Sequence, residues 1–443
     1  QNGKALSLEE CIDIALKNNS QLKNAIYQLD RTGANVKSSY SGVLPRITSS
    51  FSSGRTTIGK SIDLRSVPVI DPITKQPVID PETGEQVIDY RENVSPSRSF
   101  YGHSLTLRYS QTLYDFGRSW NAIKQAKASF NASTSSLTAA RQNVYATVKE
   151  RYFQLLKAIK LEQEYQLAME RGKEQLERTK SMYEIGSVAQ IDVYRSEVTL
   201  GNDQVNLINQ QNTVQIARWN LNVAMGRDPE TPLEIMEVDA NSDLPNFTLE
   251  EAMAIAEKNN PDLKRYEYDM RSAELGQKIA KNNFWPSIGI SASYTRRNEK
   301  LNRVYGQFDQ NFSLSLGAQL DLNIFNGLTD VADLDRQRSN YAIAQESWLD
   351  TKRQTHLKVK QAYLNLKAWD QISKINETNL RAAEEEYRLA QERYRVGAGT
   401  QLEVTEAQVS LTRARVVLVR TKYDAMIAQA QLEAAMGVIE EEQ

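Results

Sequence analysis

Residues 7 to 51 of this 443-residue chain recur without a gap 241 positions later. Ser7-Leu8-Glu9-Glu10 returns as Thr248-Leu249-Glu250-Glu251, Lys17-Asn18-Asn19 as Lys258-Asn259-Asn260, and Pro45 as Pro286. A second block repeats at 211: Tyr183-Glu184-Ile185-Gly186 with Tyr394-Arg395-Val396-Gly397, and Met225-Gly226 with Met436-Gly437. The difference locates an insertion of about thirty residues in the first copy. The period is far too long for a solenoid, so the chain is one half-domain used twice.

Both copies follow the same order of elements. A Ser/Thr-x-x-Glu capping box opens a helix of about 35 residues, because a hydroxyl and a carboxylate three apart satisfy orphan amides. Pro45 and Pro286 then switch helix to strand, since proline cannot continue a helix. Beyond them the apolar period becomes 2. Phe312, Leu314, Leu316, Ala318, Leu320 and Leu322 alternate with Ser, Gly, Gln, Asp and Asn, the mark of a strand with one apolar face. Residues 117–182 and 327–393 lack proline and read as very long helices, on the order of 100 Å at about 1.5 Å per residue. A heptad seam, Val404, Ala407, Leu411, Ala414, Leu418, Thr421, Ala425, Ala428, Leu432 and Ala435, predicts close lateral packing.

The expected division is a first repeat, 1–226, with a hairpin at about 45–55 and 103–114 around an extracellular loop 56–102, and helices 117–182 and 188–225. A linker, 227–247, leads to a second repeat, 248–443, with a hairpin at about 286–297 and 311–324 and helices 327–393 and 401–436. The loop contains Val-Ile-Asp three times at nine-residue spacing. Asp71, Asp80 and Asp89 suit turns better than a calcium site.

Composition excludes several classes. A net charge of −2 gives no electrostatic case for nucleic acid. One cysteine and two distant histidines offer no disulfide, metal pair or catalytic triad, so neither enzyme nor cofactor is expected. Cys11 lies on an apolar stripe and reads as a buried thiol. The chain begins at Gln1, which suits a processed product. No run of 18 apolar residues occurs, so any membrane crossing must use strands. Ten-residue strands with an apolar face match a bilayer-spanning strand. Four cannot close a barrel, and open edges are costly in lipid, so other subunits must complete it: eight strands in a dimer, twelve in a trimer, sixteen in a tetramer.

The chain resembles the TolC-type outer-membrane factors over essentially its whole length. The resemblance rests on the paired Ser/Thr-Leu-Glu-Glu-x-x-x-Ile-Ala starts, the two Lys-Asn-Asn motifs, Leu113-Tyr114-Asp115-Phe116-Gly117 with Asn323-Ile324-Phe325-Asn326-Gly327, and Tyr-x-x-Gly at 183–186 and 394–397. It implies a mainly α fold with transmembrane β: a long α-helical coiled-coil barrel plus four β-strands per protomer, completing a 12-stranded barrel in a homotrimer. The implied function is a passive exit duct of a tripartite efflux system, in the outer membrane and periplasm of a Gram-negative bacterium, working with a periplasmic adaptor and an inner-membrane pump. A type I secretion duct is the near alternative, and a trimeric coiled-coil adhesin the distant one.

The resemblance also implies site residues. Glu403, Glu406 and Asp192 match acidic positions of a pore constriction, although Glu403 and Asp192 also suit helix starts. Gly186, Gly397, Gly399, Tyr183 and Tyr394 form the tip turns expected to dock the adaptor. Pro45 and Pro286 are the strand–helix switches, and Phe284-Trp285 suits an aromatic belt in outer-membrane lipid.

Overall fold

The computed structural model describes residues 5–238, 248–306 and 308–438. The chain forms two compact units. The first comprises 1–38, 121–278 and 331–443; the second comprises 39–120 and 279–330.

The first unit is helical. Its elements are α1 (Leu8–Asn18), α2 (Ser20–Ser39), most of α3 (Arg118–Glu184), α4 (Gln190–Ala224), α5 (Leu249–Asn259), α6 (Pro261–Asn282), most of α8 (Thr329–Arg395) and α9 (Gln401–Met436). The helices α3 and α8 each run 67 residues. Both capping boxes form: Glu10 N–H donates to Ser7 Oγ at 3.1 Å and Glu251 N–H to Thr248 Oγ1 at 3.2 Å. The single helix of about 35 residues expected in each copy is instead two. Asn19 and Asn260 adopt extended backbone, with ψ of 126° and 118°. Each ends one helix through its own N–H, bonded to Ala15 O and Ala256 O. Each then starts the next, its side-chain oxygen accepting from Gln21 and Leu22 or from Asp262 and Leu263. The Asn260-Pro261 pair carried this signal, because proline favours the first helical position.

One core joins α1, α3 and α4 around Cys11, Ala15, Val148, Tyr152, Leu156, Leu221 and Met225. Another joins α5, α8 and α9 around Ala252, Ala256, Val359, Leu432 and Met436. The α9 seam is buried at Val404, Ala407, Leu411, Thr421, Ala428 and Leu432. A second face of α9, Tyr423, Met426 and Ile427, enters the first core. That is why its apolar residues spread around the helix rather than forming one stripe. The described part of the linker is anchored too. Leu6 bridges to Ile235, and Tyr152 donates its hydroxyl to Met236 O at 2.7 Å. Residues 239–247 of the expected linker, and Gln1, lie outside the described residues.

The second unit is a sheet of order β1-β4-β5-β6, all antiparallel, built from β1 (Arg46–Ile58), β4 (Arg98–Tyr114), β5 (Ser287–Asn298) and β6 (Phe312–Asp321), with the short helix α7 (Leu301–Tyr305) between the last two. The pairing of β4 with β5 joins the hairpins of the two copies. Register sorts the side chains: Ile47, Tyr109, Ala292 and Leu316 lie in one row, and Phe51, Leu105 and Arg296 in another. The intervening rows carry Thr48, Arg108, Ser293 and Ser315, then Ser50, Thr106, Thr295 and Ser313. One face is therefore mostly apolar and the other polar, since side chains alternate along a strand.

The expected loop 56–102 is largely strand. Both hairpin strands extend into it, and β2 (Ser61–Pro68) pairs with β3 (Ile88–Ser95) beyond them. The Val-Ile-Asp repeats make a three-way junction. Val69 N–H donates to Val87 O, Val87 N–H to Val78 O and Val78 N–H to Val69 O, at 2.8 to 2.9 Å. Asp71 and Asp80 form turns by accepting from the backbone of Ile73 and Glu82. Asp89 lies in β3 and pairs with Arg91.

Candidate functional site

The helical unit ends in two tip turns with the same local chemistry. At the first, Gly186 N–H donates to Tyr183 O and Ser187 N–H to Met182 O; at the second, Gly397 donates to Tyr394 O and Ala398 to Arg393 O. These paired bonds satisfy the last carbonyls of α3 and α8 and require a left-handed residue, which Gly186 (φ 78°) and Gly397 (φ 75°) supply. Gly399 serves differently. A β-carbon there would stand 3.1 Å from Tyr394 N and 3.2 Å from Glu403 Oε2.

Tyr394 ties the tips together, its hydroxyl lying 3.1 Å from Met182 Sδ. It also packs with Tyr387 on Ala390, Val404 and Ala407. Burial raises the Tyr394 phenol pKa above its ordinary value, and the Asp192 charge raises it further. Tyr183 is exposed.

The three acidic residues occupy different settings. Glu403 starts α9, its N–H donating to Thr400 Oγ1 at 3.3 Å. Its carboxylate faces Arg393 across the turn at 3.6 Å, and Arg393 in turn donates to Ala398 O. Glu406 projects to solvent one turn later. Asp192 caps α4 by accepting from Ala189 N–H and pairs with Arg195 at 3.5 Å. Asp192 thus holds a helix start and a neighbouring arginine, whereas Glu403 pairs with a cation across the turn. Arg393 and Arg195 join the acids as functional candidates, marked in the sequence only by lying within ten residues of them.

The strand–helix switches are close-packed. Pro45 and Pro286 immediately precede the first residues of β1 and β5. Asp115 is buried and caps α3, accepting from Ser119 N–H at 2.8 Å. Ser119 Oγ reaches Gly42 O, beside the Pro45 turn. Trp285 stacks on Phe116 with ring centroids 5.1 Å apart, and Tyr114 meets Phe116 edge-on. Such a cluster suits a membrane–water interface.

Among the described residues, the sheet has two free edges, β1 and β6. Leu314, Leu316 and Leu320 on β6 and Ile47 on β1 are more than half exposed. An open-edged sheet with a wide apolar face does not persist in water. Among the described residues, no helix is long and apolar enough to cross a membrane.

Residues 11–227 and 253–438 match the family model described as outer membrane efflux protein. Nodulation protein T of Rhizobium leguminosarum bv. trifolii is 24% identical over 350 residues, which are 77% of this chain. The chain spans 66% of the length of that relative. The crystal structure of the outer membrane protein VceC from Vibrio cholerae matches with a TM-score of 0.79 at 18% identity, covering 98% of this chain and 97% of that one. The open-state MtrE outer membrane channel of Neisseria gonorrhoeae matches at 0.78 with 19% identity, covering 97% and 89%.

Proposed function

The chain belongs to the outer membrane efflux protein family, and from that premise we propose that it is the passive exit duct of an efflux or secretion system. The observation that carries this reading is the four-stranded sheet, apolar on one face, polar on the other and unpaired at both edges. In lipid every backbone donor and acceptor needs a partner, so the edges must be paired. Three copies joined β6 to β1 close a twelve-stranded barrel. Its apolar face meets lipid, and its lining, mostly Ser, Thr and Gly with a few arginines, is too small to fill the lumen, which water then occupies. Each copy of the repeat supplies one hairpin and one set of tunnel helices.

The tip turns are the docking end for a periplasmic adaptor that links the duct to an inner-membrane pump. Gly186 and Gly397 leave backbone uncovered there. Glu403, Glu406 and Asp192 line the constriction, with the Glu403 carboxylate facing Arg393. Conductance of the purified protein in planar bilayers tests the reading. Small cation-selective currents that grow in Glu403→Ala and Glu406→Ala support it. No conductance in any form overturns it.

A further inference from the structure

The short helix α7, between β5 and β6, turns back onto the sheet instead of projecting from it. Val304 of α7 is fully buried, and Tyr305 meets Phe51 with ring centroids 5.6 Å apart. Tyr294 donates its hydroxyl to Phe308 O at 2.7 Å. Arg296, only 1% exposed, donates to Arg303 O and Gly306 O, closing the end of α7, and lies over the Phe308 ring at 4.8 Å. Phe51, Tyr294 and Arg296 belong to the apolar face. The strap therefore covers the outer face of the barrel. It lies on the central strands β4 and β5 and reaches the edge strand β1 at Phe51.

Its height is set by the strand. From Trp285, in the aromatic cluster at one end, to Arg296 is eleven residues, about 36 Å of strand or about 28 Å along the axis at a tilt of about 40°. An apolar band of about 25 Å lies between, so the strap sits at the opposite water interface. Its exposed surface suits that place. Leu301, Tyr305 and Phe308 are 46, 50 and 59% exposed, and Lys300 and Arg303 are exposed beside them. Apolar rings with cations alongside match the boundary between acyl chains and charged headgroups. Glu299 and Asp309 flank the patch, which disfavours a diffuse basic attraction and leaves the two cations as discrete contacts.

We propose that this strap binds the phosphorylated headgroup of an outer-leaflet glycolipid, with Lys300 and Arg303 on its phosphates and Leu301, Tyr305 and Phe308 among its acyl chains. The site rests on the barrel reading above. In outline, the strap is a lipid-facing collar, and Arg296 is the internal clamp that holds it.

The test titrates the full-length protein in neutral detergent with a bisphosphorylated glycolipid and with its dephosphorylated form, read by native mass spectrometry. Lys300→Gln/Arg303→Gln should weaken the phosphorylated lipid about tenfold, each charge near an anionic surface being worth a severalfold factor. The dephosphorylated lipid should bind both forms equally weakly, and millimolar inorganic phosphate should not compete. Lys60→Gln/Arg65→Gln, the same charge change on exposed residues of the long insertion, should have no effect. Equal binding of the two lipids, or equal losses in the two double variants, overturns the site. Bilayer conductance of the same preparation separates the levels: a conducting protein without lipid selectivity refutes the strap alone, and a non-conducting one refutes the barrel beneath it.

Discussion

Asn260 donates its side-chain amide to the carbonyl of Ala435 at 3.3 Å, and Asn19 donates to Ala224 at 3.1 Å in the equivalent place. The same asparagines end one helix and begin another, so each ties three helix ends together. The glycines that follow close the knot. Gly226 (φ 72°) would bring a β-carbon within 2.8 Å of Asn18 C, and Gly437 (φ 72°) within 2.9 Å of Asn260 Cα. The Lys-Asn-Asn and Met-Gly motifs, far apart in sequence, are two halves of one joint.

This joint separates four glycines that look alike. Gly186→Ala meets open space and should cost only the left-handed strain, about 1 kcal/mol. Gly226→Ala adds a clash with backbone that cannot rotate away, and should cost at least about 2 kcal/mol more. Thermal unfolding of the two variants in detergent makes the comparison. Equal midpoints would mean the joint is looser than its distances imply.

Asn19→Ala and Asn260→Ala should each lower stability by about 1–2 kcal/mol, the usual loss for an N-cap. Asn→Asp retains the acceptor oxygen for the cap but loses the bond to α4 or α9, so it should fall between. Denaturant midpoints give the ranking, and an Asp variant no better than Ala would assign the effect to the carbonyl bond instead.

The Arg393–Glu403 pair is 59% and 40% exposed, so its contribution to stability is small, below about 1 kcal/mol. Its influence on the pore should still be visible. Arg393→Ala and Glu403→Ala should each raise single-channel conductance, the double variant should add little beyond either, and the difference should shrink in molar salt. Fully additive increases would show that the two charges act separately.

The two sheet faces predict opposite outcomes for one substitution. Leu316→Arg places a cation on the apolar face, where Leu316 is 76% exposed, and should cost about 2–4 kcal/mol near mid-bilayer. Ser315→Arg, on the polar face one residue away, should assemble normally. Yield of folded oligomer from outer membranes distinguishes them. Equal yields would argue that the face does not meet lipid.

Burial pushes the Cys11 thiol up to about 12, with Arg227 opposing and Glu10 reinforcing the shift. A folded-state value above the unfolded one keeps the thiol neutral throughout ordinary buffers. Destabilisation therefore begins only as pH rises past the ordinary thiol range near 8.5, where the unfolded chain loses its proton. The native protein should resist maleimide at pH 8 and react stoichiometrically in denaturant.

Local chemistry made much of this protein legible from its sequence. Capping boxes, prolines, period-2 strands and the heptad seam depend on residues within a few positions of one another, and they marked helices, strands and switch points. The duplication carried the count of strands, and with it the need for partners to close the barrel. The kink at Asn19 is not legible locally, because its bonds to Ala224 and Gln21 outweigh a helical pattern that runs through it. The Val-Ile-Asp segment looks like loop in sequence because its cyclic bonding joins residues nine and eighteen apart. Only the tertiary structure paired β4 with β5, set Arg393 against Glu403, and laid α7 on the apolar face. The first joins segments far apart in sequence, and the other two, though close in sequence, depend on how a turn folds back on its neighbours, so packing and register, rather than local preference, carry the free energy.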